Sequence, residues 1–146
     1  MLGILKWLFR PTARDRVERF HDPVLGELVL TDLQWECTVT HQAGSIIFRI
    51  GGTHEPAPEL VSAVCDIVND IEAFTRRVTD YLRSEADQSR YAGEADEISS
   101  LKIQDVNFWW PDKPTAGMIF FEGPDEFRGW HCDIDGSRLY GLTFDS

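Results

Sequence analysis

The sequence is poor in cysteine: it has three, Cys37, Cys65 and Cys132, and no Cys-x-x-Cys pair. An odd count without paired spacing argues against a disulfide framework and a zinc knuckle, and is typical of a reducing compartment. No apolar run reaches the roughly 18 residues of a membrane span. The first residues also lack the cleavage site of a secretory signal. We therefore expect a cytoplasmic protein.

Motifs that hold cofactors or metals are absent as well. Gly51-Gly52 lacks the context of a phosphate-binding loop, and no serine occupies a Gly-x-Ser-x-Gly elbow. Residues 133–136 start like a calcium loop, but the twelfth position is Phe144 instead of glutamate. The four histidines lie in different segments without helical i, i+4 spacing: His21, His41, His54 and His131. We therefore predict no cofactor and no metal.

Acidic side chains outnumber basic ones, and the formal net charge is −11 at pH 7. Residues 1–19 carry five basic side chains against two acidic ones, so their charge is +3 and that of the remainder is −14. An acidic body repels phosphate backbones, which argues against nucleic-acid binding. The same charge speeds encounter with a basic protein. We therefore expect a basic protein partner or self-association, and no nucleic acid.

Residues 1–20 are predicted to form an N-terminal arm that is apolar at first and basic afterwards, with a helical turn expected within residues 14–20. The apolar side chains spread around a helical wheel, so the arm is not a clean surface-lying amphipathic helix. Two interpretations follow. In one, the arm docks in a groove of its own domain or of a twin subunit. In the other, Trp7, Leu8 and Phe9, followed by arginines, contact an anionic membrane.

A single helix organises the predicted fold. Apolar residues recur at helical spacing over residues 58–82. The other patterned segments alternate like strands, including those around Cys37 and Phe48, and Asp135-Gly136 is a hairpin signal. We therefore predict one α+β domain over residues 21–146, with a mainly antiparallel sheet of about six to seven strands packed on one long central helix.

The tripeptide His131-Cys132-Asp133 has the residue types of a cysteine nucleophile and its base. Strand geometry argues against that role, because successive side chains point to opposite faces of a sheet. Trp130 and Cys132 should then lie in the core, while His131 points outward. We predict an inert buried thiol and no catalytic residue.

Two adjacent tryptophans, Trp109 and Trp110, also point to opposite faces if they continue a strand. If Trp110 faces the helix, Trp109 faces away, where it could join Arg49 and His131 in a binding patch, since tryptophan is a favoured interface anchor. Alternatively, the arm or a second subunit covers that sheet face. The predicted interaction residues are Trp109, Trp7, His131 and Arg49.

Four features form a recognisable layout: an opening Gly-Glu-Leu-Val-Leu strand at residues 26–30, a following strand with Trp35, one long helix, and a closing strand pair over residues 133–144. This layout resembles small bacterial domains of unknown function, some of which occur near toxin and immunity genes. The resemblance implies a non-enzymatic bacterial protein. We therefore predict a non-catalytic interaction module of the immunity or regulatory type. The alternative is a small hydrolase or ligand-binding domain with a cleft beside the helix, using Cys132, His131 or a converged His/Asp group.

Overall fold

The computed structural model describes residues 17–88 and 93–146 and shows one sheet with helices packed on one side. The strands are β1 (Arg19–Asp22), β2 (Gly26–Thr31), β3 (Gln34–His41), β4 (Gly44–Ile50), β5 (Lys102–Phe108), β6 (Ala116–Glu122), β7 (Gly129–Asp135) and β8 (Arg138–Asp145). The helices are α1 (Pro58–Asn69), α2 (Ile71–Ala86) and α3 (Ala95–Ser99). Most of the predicted N-terminal arm lies outside the described residues.

The strands lie in the sheet in the order in which they occur in the chain. All neighbours pair antiparallel except β4 and β5, which pair parallel with Phe48 opposite Val106. Antiparallel neighbours need only short turns, whereas a parallel pair needs a long crossover, which the helices provide. Two antiparallel meanders are therefore joined side by side through one parallel contact.

The prediction of one long central helix is wrong. The chain forms α1 and α2 there, and they are separated at Asp70 (φ −137°, ψ 59°). The Asp70 side chain accepts a hydrogen bond from the backbone N–H of Ala73 at 3.3 Å, which makes it the N-cap of a new helix. Val64 and Phe74, on either side of the break, both pack in the core. The apolar spacing therefore continues through the break and does not reveal it.

The predicted sheet of about six to seven mainly antiparallel strands is also wrong, since the observed sheet is mixed and has eight strands. Arg19 and Phe20, expected within a helical turn, belong to β1 instead. That strand has only four residues, two of them charged, so it shows no clear apolar alternation. The parallel pairing escaped prediction because a strand's own pattern does not identify its neighbour.

The core lies between the helices and one face of the sheet. Alternate strand residues point into it, and Trp35, Phe48 and Trp130 are fully buried there. Phe74 of α2 belongs to the same core cluster. Cys132 shares this face with Trp130, which confirms the predicted orientation of β7. Burial of a large apolar side chain contributes roughly 1.5–3 kcal/mol, so this side of the sheet supplies most of the stability.

Candidate interaction face

The sheet face away from the helices, here called the outer face, has two central rows of side chains that run across the strands. The strand register aligns the members of each row. The first row contains Thr38, Ile47, Asp105, Phe120, His131 and Thr143. The second row contains Arg19, Val29, Glu36, Arg49, Asn107, Met118, Asp133 and Tyr140. Apolar and charged side chains are thus mixed on this face, unlike on the core side.

A polar cluster occupies the middle of the outer face. The Arg49 guanidinium donates to Asp105 Oδ2 at 3.0 Å and to Glu36 Oε2 at 3.3 Å. Asn107 Nδ2 donates to the same Asp105 oxygen at 2.6 Å. Asp105 is 5% exposed and Asn107 is 3% exposed, although both lie away from the helices. The buried carboxylate is therefore held by one donor from its own strand, β5, and one from the neighbouring strand β4.

A hollow of about 310 Å³ lies beside this cluster. Its lining includes Arg49, Asp105, Asn107, Trp109 and Phe120. Trp109 is half-buried and meets Trp110 edge to face, with the ring centroids 5.4 Å apart. The hollow is therefore lined both by the polar cluster and by aromatic side chains. Tryptophan and arginine are the residues that most often anchor protein interfaces.

Three of the four predicted interaction residues lie on or beside the outer face. Arg49 and Trp109 line the hollow. His131 is the register partner of Phe120, and their ring centroids are 5.8 Å apart. The fourth residue, Trp7, lies outside the described residues. Their binding of a partner stays a prediction.

The orientation of Trp110 differs from the expectation. The alternation along this segment predicts that Trp110 faces the helix, but Trp110 is 51% exposed. The reason is that β5 ends at Phe108, so the regular alternation of side chains does not continue to Trp110.

Sequence reasoning missed Asp105 and Asn107 as site residues. They alternate with the buried apolar residues Val106 and Phe108, a pattern that places the two polar side chains on the outer face of β5. The pattern could therefore have indicated their orientation. It does not show that Asp105 pairs with Arg49, 56 residues earlier, because that contact depends on the parallel register of β4 and β5.

The histidine and cysteine of β7 lie on opposite faces. His131 Nε2 is 3.1 Å from Asp145 Oδ2, while Cys132 is fully buried in the core. Burial raises the pKa of the Cys132 thiol to about 12. Such a thiol holds almost no thiolate near neutral pH, and thiolate is the nucleophilic form. Within residues 17–88 and 93–146, no group of three or more His, Cys, Asp or Glu side chains could hold a metal ion.

A second concavity, a cleft of about 340 Å³, lies beside α2. Its polar lining comprises His41, Ser45, Thr75, Thr79, Lys102 and Glu122. Its apolar lining includes Val78 and Leu82 of the helix. The backbone N–H of Ala43 donates to His41 Nδ1 at 3.3 Å, so the imidazole is oriented by the β3–β4 turn. Neither Cys132 nor His131 is among the residues that line this cleft.

Comparisons with known proteins found no matching family model, no matching curated protein and no matching solved structure. The resemblance to small bacterial domains of unknown function therefore stays a prediction. In the part of the chain that the structure describes, no helix is long and apolar enough to cross a membrane.

Proposed function

We propose that this protein is a non-catalytic interaction module that binds a basic protein partner through its outer face, in a regulatory or immunity-type role. One observation carries the proposal: the polar cluster around Asp105 and the half-buried Trp109 meet at a single hollow on the face that the helices leave free. An arginine held by two carboxylates and an adjacent indole form a preorganised anchor, which lowers the entropic cost of binding.

The charge of the outer face supports a basic partner. Its two rows contain the carboxylates of Glu36, Asp105 and Asp133 against the guanidinium groups of Arg49 and Arg19, and Arg19 is already paired with Glu27. The Asp133 carboxylate makes no hydrogen bond or ion pair within the described residues. Complementary charge steers association and fixes the partner's register.

The test is a binding measurement with a partner identified by crosslinking of the full chain and then purified. Trp109→Ala should weaken binding by about tenfold or more, the scale of an interface anchor. Phe127→Ala is the matched control, since Phe127 is 78% exposed and lies outside the two rows. Affinity should also fall as salt is added, because salt screens exposed charges. Equal losses from the two variants would contradict the proposal.

The cleft beside α2 favours a second candidate function, the binding of a small ligand. Its volume lies within the range of ligand pockets, about 300–1,000 Å³, and it combines an apolar wall with Lys102 and Glu122 at its rim. A small-molecule screen should then find a compound that raises the melting temperature of the wild type. Thr79→Trp, which fills the cleft, should abolish that shift, whereas Trp109→Ala should retain it.

The hydrolase form of this alternative makes a separate prediction about Cys132. If Cys132 were a nucleophile, iodoacetamide would alkylate it in the folded protein. Because burial raises the pKa of its thiol to about 12, we expect no alkylation of Cys132 at pH 8 until the protein is unfolded. Mass spectrometry of the alkylated peptides distinguishes the two results.

A further inference from the structure

We propose that residues 1–10 of this same chain cover the outer face when no partner is bound, with the indole of Trp7 in the hollow beside Trp109. The inference concerns the same face as the proposed function, but docking of the arm does not require a partner protein. It assigns an occupant to that face and gives the arm a role as an internal competitor.

The outer face carries several apolar side chains outside the core. Ile47, Met118 and Phe120 lie on it half-buried and outside the core, and Trp109 lies at its margin. Met118 and Phe120 are neighbours on the same face of β6, and apolar side chains grouped on a protein surface mark interaction sites. The hollow of about 310 Å³ is also large enough for an aromatic ring, because a cavity of about 150 Å³ already holds benzene.

The chemistry of the arm complements that of the face. Seven of the first nine residues are apolar, and Lys6, Arg10, Arg14 and Arg16 supply positive charge. The face offers apolar side chains and an excess of carboxylates, including Asp133, which has no ion pair within residues 17–88 and 93–146. The arm and the face are therefore complementary in both apolar character and charge.

The chain is long enough for this contact. The backbone N–H of Leu30 donates to the carbonyl oxygen of Glu18 at 3.0 Å, so the chain enters the sheet at the β1 edge. The hollow lies near β5, four strands away, or about 19 Å at the usual strand spacing. The segment from Trp7 to Arg19 can span about 40 Å when extended. The arm can therefore reach the hollow without disturbing β1.

Methionine oxidation in the full-length protein provides the test. The chain has two methionines, Met1 and Met118, and Met118 lies in the second row of the outer face between Asn107 and Asp133. Peroxide converts an accessible thioether to the sulfoxide, which peptide mass spectrometry quantifies. If the arm covers the face, Trp7→Ala should speed the oxidation of Met118 by about threefold or more.

Two further variants keep the test decisive. Asp133→Asn removes a carboxylate from the face without adding bulk, and it should speed Met118 oxidation in the same direction. Phe127→Ala removes an exposed aromatic ring from the loop after β6 and should leave the rate unchanged. An unchanged rate in both Trp7→Ala and Asp133→Asn would overturn the inference.

Dilution and vesicles identify other occupants. Protection of Met118 that disappears on dilution would mean that a second copy supplies the cover, and it would overturn docking within one chain. Protection that appears only with phosphatidylglycerol vesicles would equally overturn it in favour of a membrane. Failure of the proposed function has a different signature, namely a reconstituted complex that tolerates Trp109→Ala whatever happens at Met118.

Discussion

The two faces of the sheet are built from the same strands and yet differ in almost every property. On the core side, Phe48 and Trp130 are fully buried against the helices. Their immediate neighbours in sequence, Arg49 and His131, point to the outer face. The core side is apolar and closed, whereas the outer face keeps a charged cluster, aromatic rings and a hollow. Alternation along each strand thus places one set of residues in the core and the other on the face that we propose for binding.

The energetics of the two faces support the binding role that we propose for the outer face. Apolar burial on the core side is directly stabilising. The Arg49–Asp105 ion pair has a nearly buried carboxylate, and the cost of removing such a charge from water offsets much of the attraction. An apolar pair of similar size could be as stable. The polar cluster is therefore better explained by a need for fixed charges on this face than by a need for stability.

The largest expected effect is a difference in the free energy of unfolding between variants on the two faces of β7. Trp130 is fully buried, and its Nε1–H donates to Glu97 Oε1 at 2.9 Å. Trp130→Ala should lower the free energy of unfolding by about 3–5 kcal/mol, through a cavity and a lost hydrogen bond. His131→Ala, one residue further on the other face, should cost less than about 1 kcal/mol. Urea unfolding measures both, and equal losses would break the distinction between the faces.

An intermediate effect concerns the polar cluster itself. Arg49→Met leaves the buried Asp105 carboxylate without its cation, and we expect a loss of about 1–3 kcal/mol in the free energy of unfolding. The double variant Arg49→Met/Asp105→Asn removes both charges, so it should recover most of that loss. The single variant Asp105→Asn completes the cycle, and losses of the two single variants that simply add in the double variant would mean that the pair is not energetically coupled. A double-mutant cycle by urea unfolding gives the answer.

A smaller effect is expected on the helix side at the break between α1 and α2. Asp70→Ala removes the acceptor for the Ala73 N–H and should cost about 0.5–2 kcal/mol. Asp80→Ala is the matched control on α2, because its ion pair with Arg83 is exposed and 4.0 Å long. That control should change stability by less than about 0.5 kcal/mol. Thermal and urea unfolding of both variants would show whether the cap matters.

The smallest effect is a pH dependence at the β1–β2 turn, which ties the sheet to α1. Asp22 Oδ2 accepts hydrogen bonds from the N–H groups of Leu25 and Val24 at 2.8 Å and lies 3.6 Å from Cys65 Sγ. The bond from Leu25, more than any other contact, lowers the pKa of the Asp22 carboxyl. The ionised Asp22 carboxylate therefore stabilises the fold fully above the unfolded pKa of about 3.9. This stabilisation is lost as pH falls through the lower pKa of the folded state.

The comparison that tests this dependence is wild type against Asp22→Asn. The wild type should be the more stable protein at pH 7, and the difference should shrink as pH falls below about 4. Urea unfolding between pH 7 and pH 3 measures it. A difference that stays constant over this range would show that the charge of Asp22 does not contribute.

Sequence patterns predicted which way the strand side chains of β7 point, but they did not predict the helix break, the short β1 or the parallel strand pair. Alternation correctly placed Cys132 in the core and His131 on the other face. Helical periodicity located the helical region but not its break at Asp70, because the apolar spacing continues across it. The four-residue β1 escaped notice because so short a strand carries little pattern. Local periodicity indicates which face of an element is buried, but it does not identify the strands that pair with it from distant parts of the chain.

The amino-acid sequence alone determined the alternation of the strands, the acidity of the body and the contrast of that body with a basic, apolar beginning. Only the tertiary structure decided that β4 and β5 lie side by side in parallel and that Arg49 thereby meets Asp105. The physical reason is that side-chain direction follows from backbone geometry within one strand. The neighbour of a strand follows from the crossover, which depends on how the helices and the whole sheet pack together.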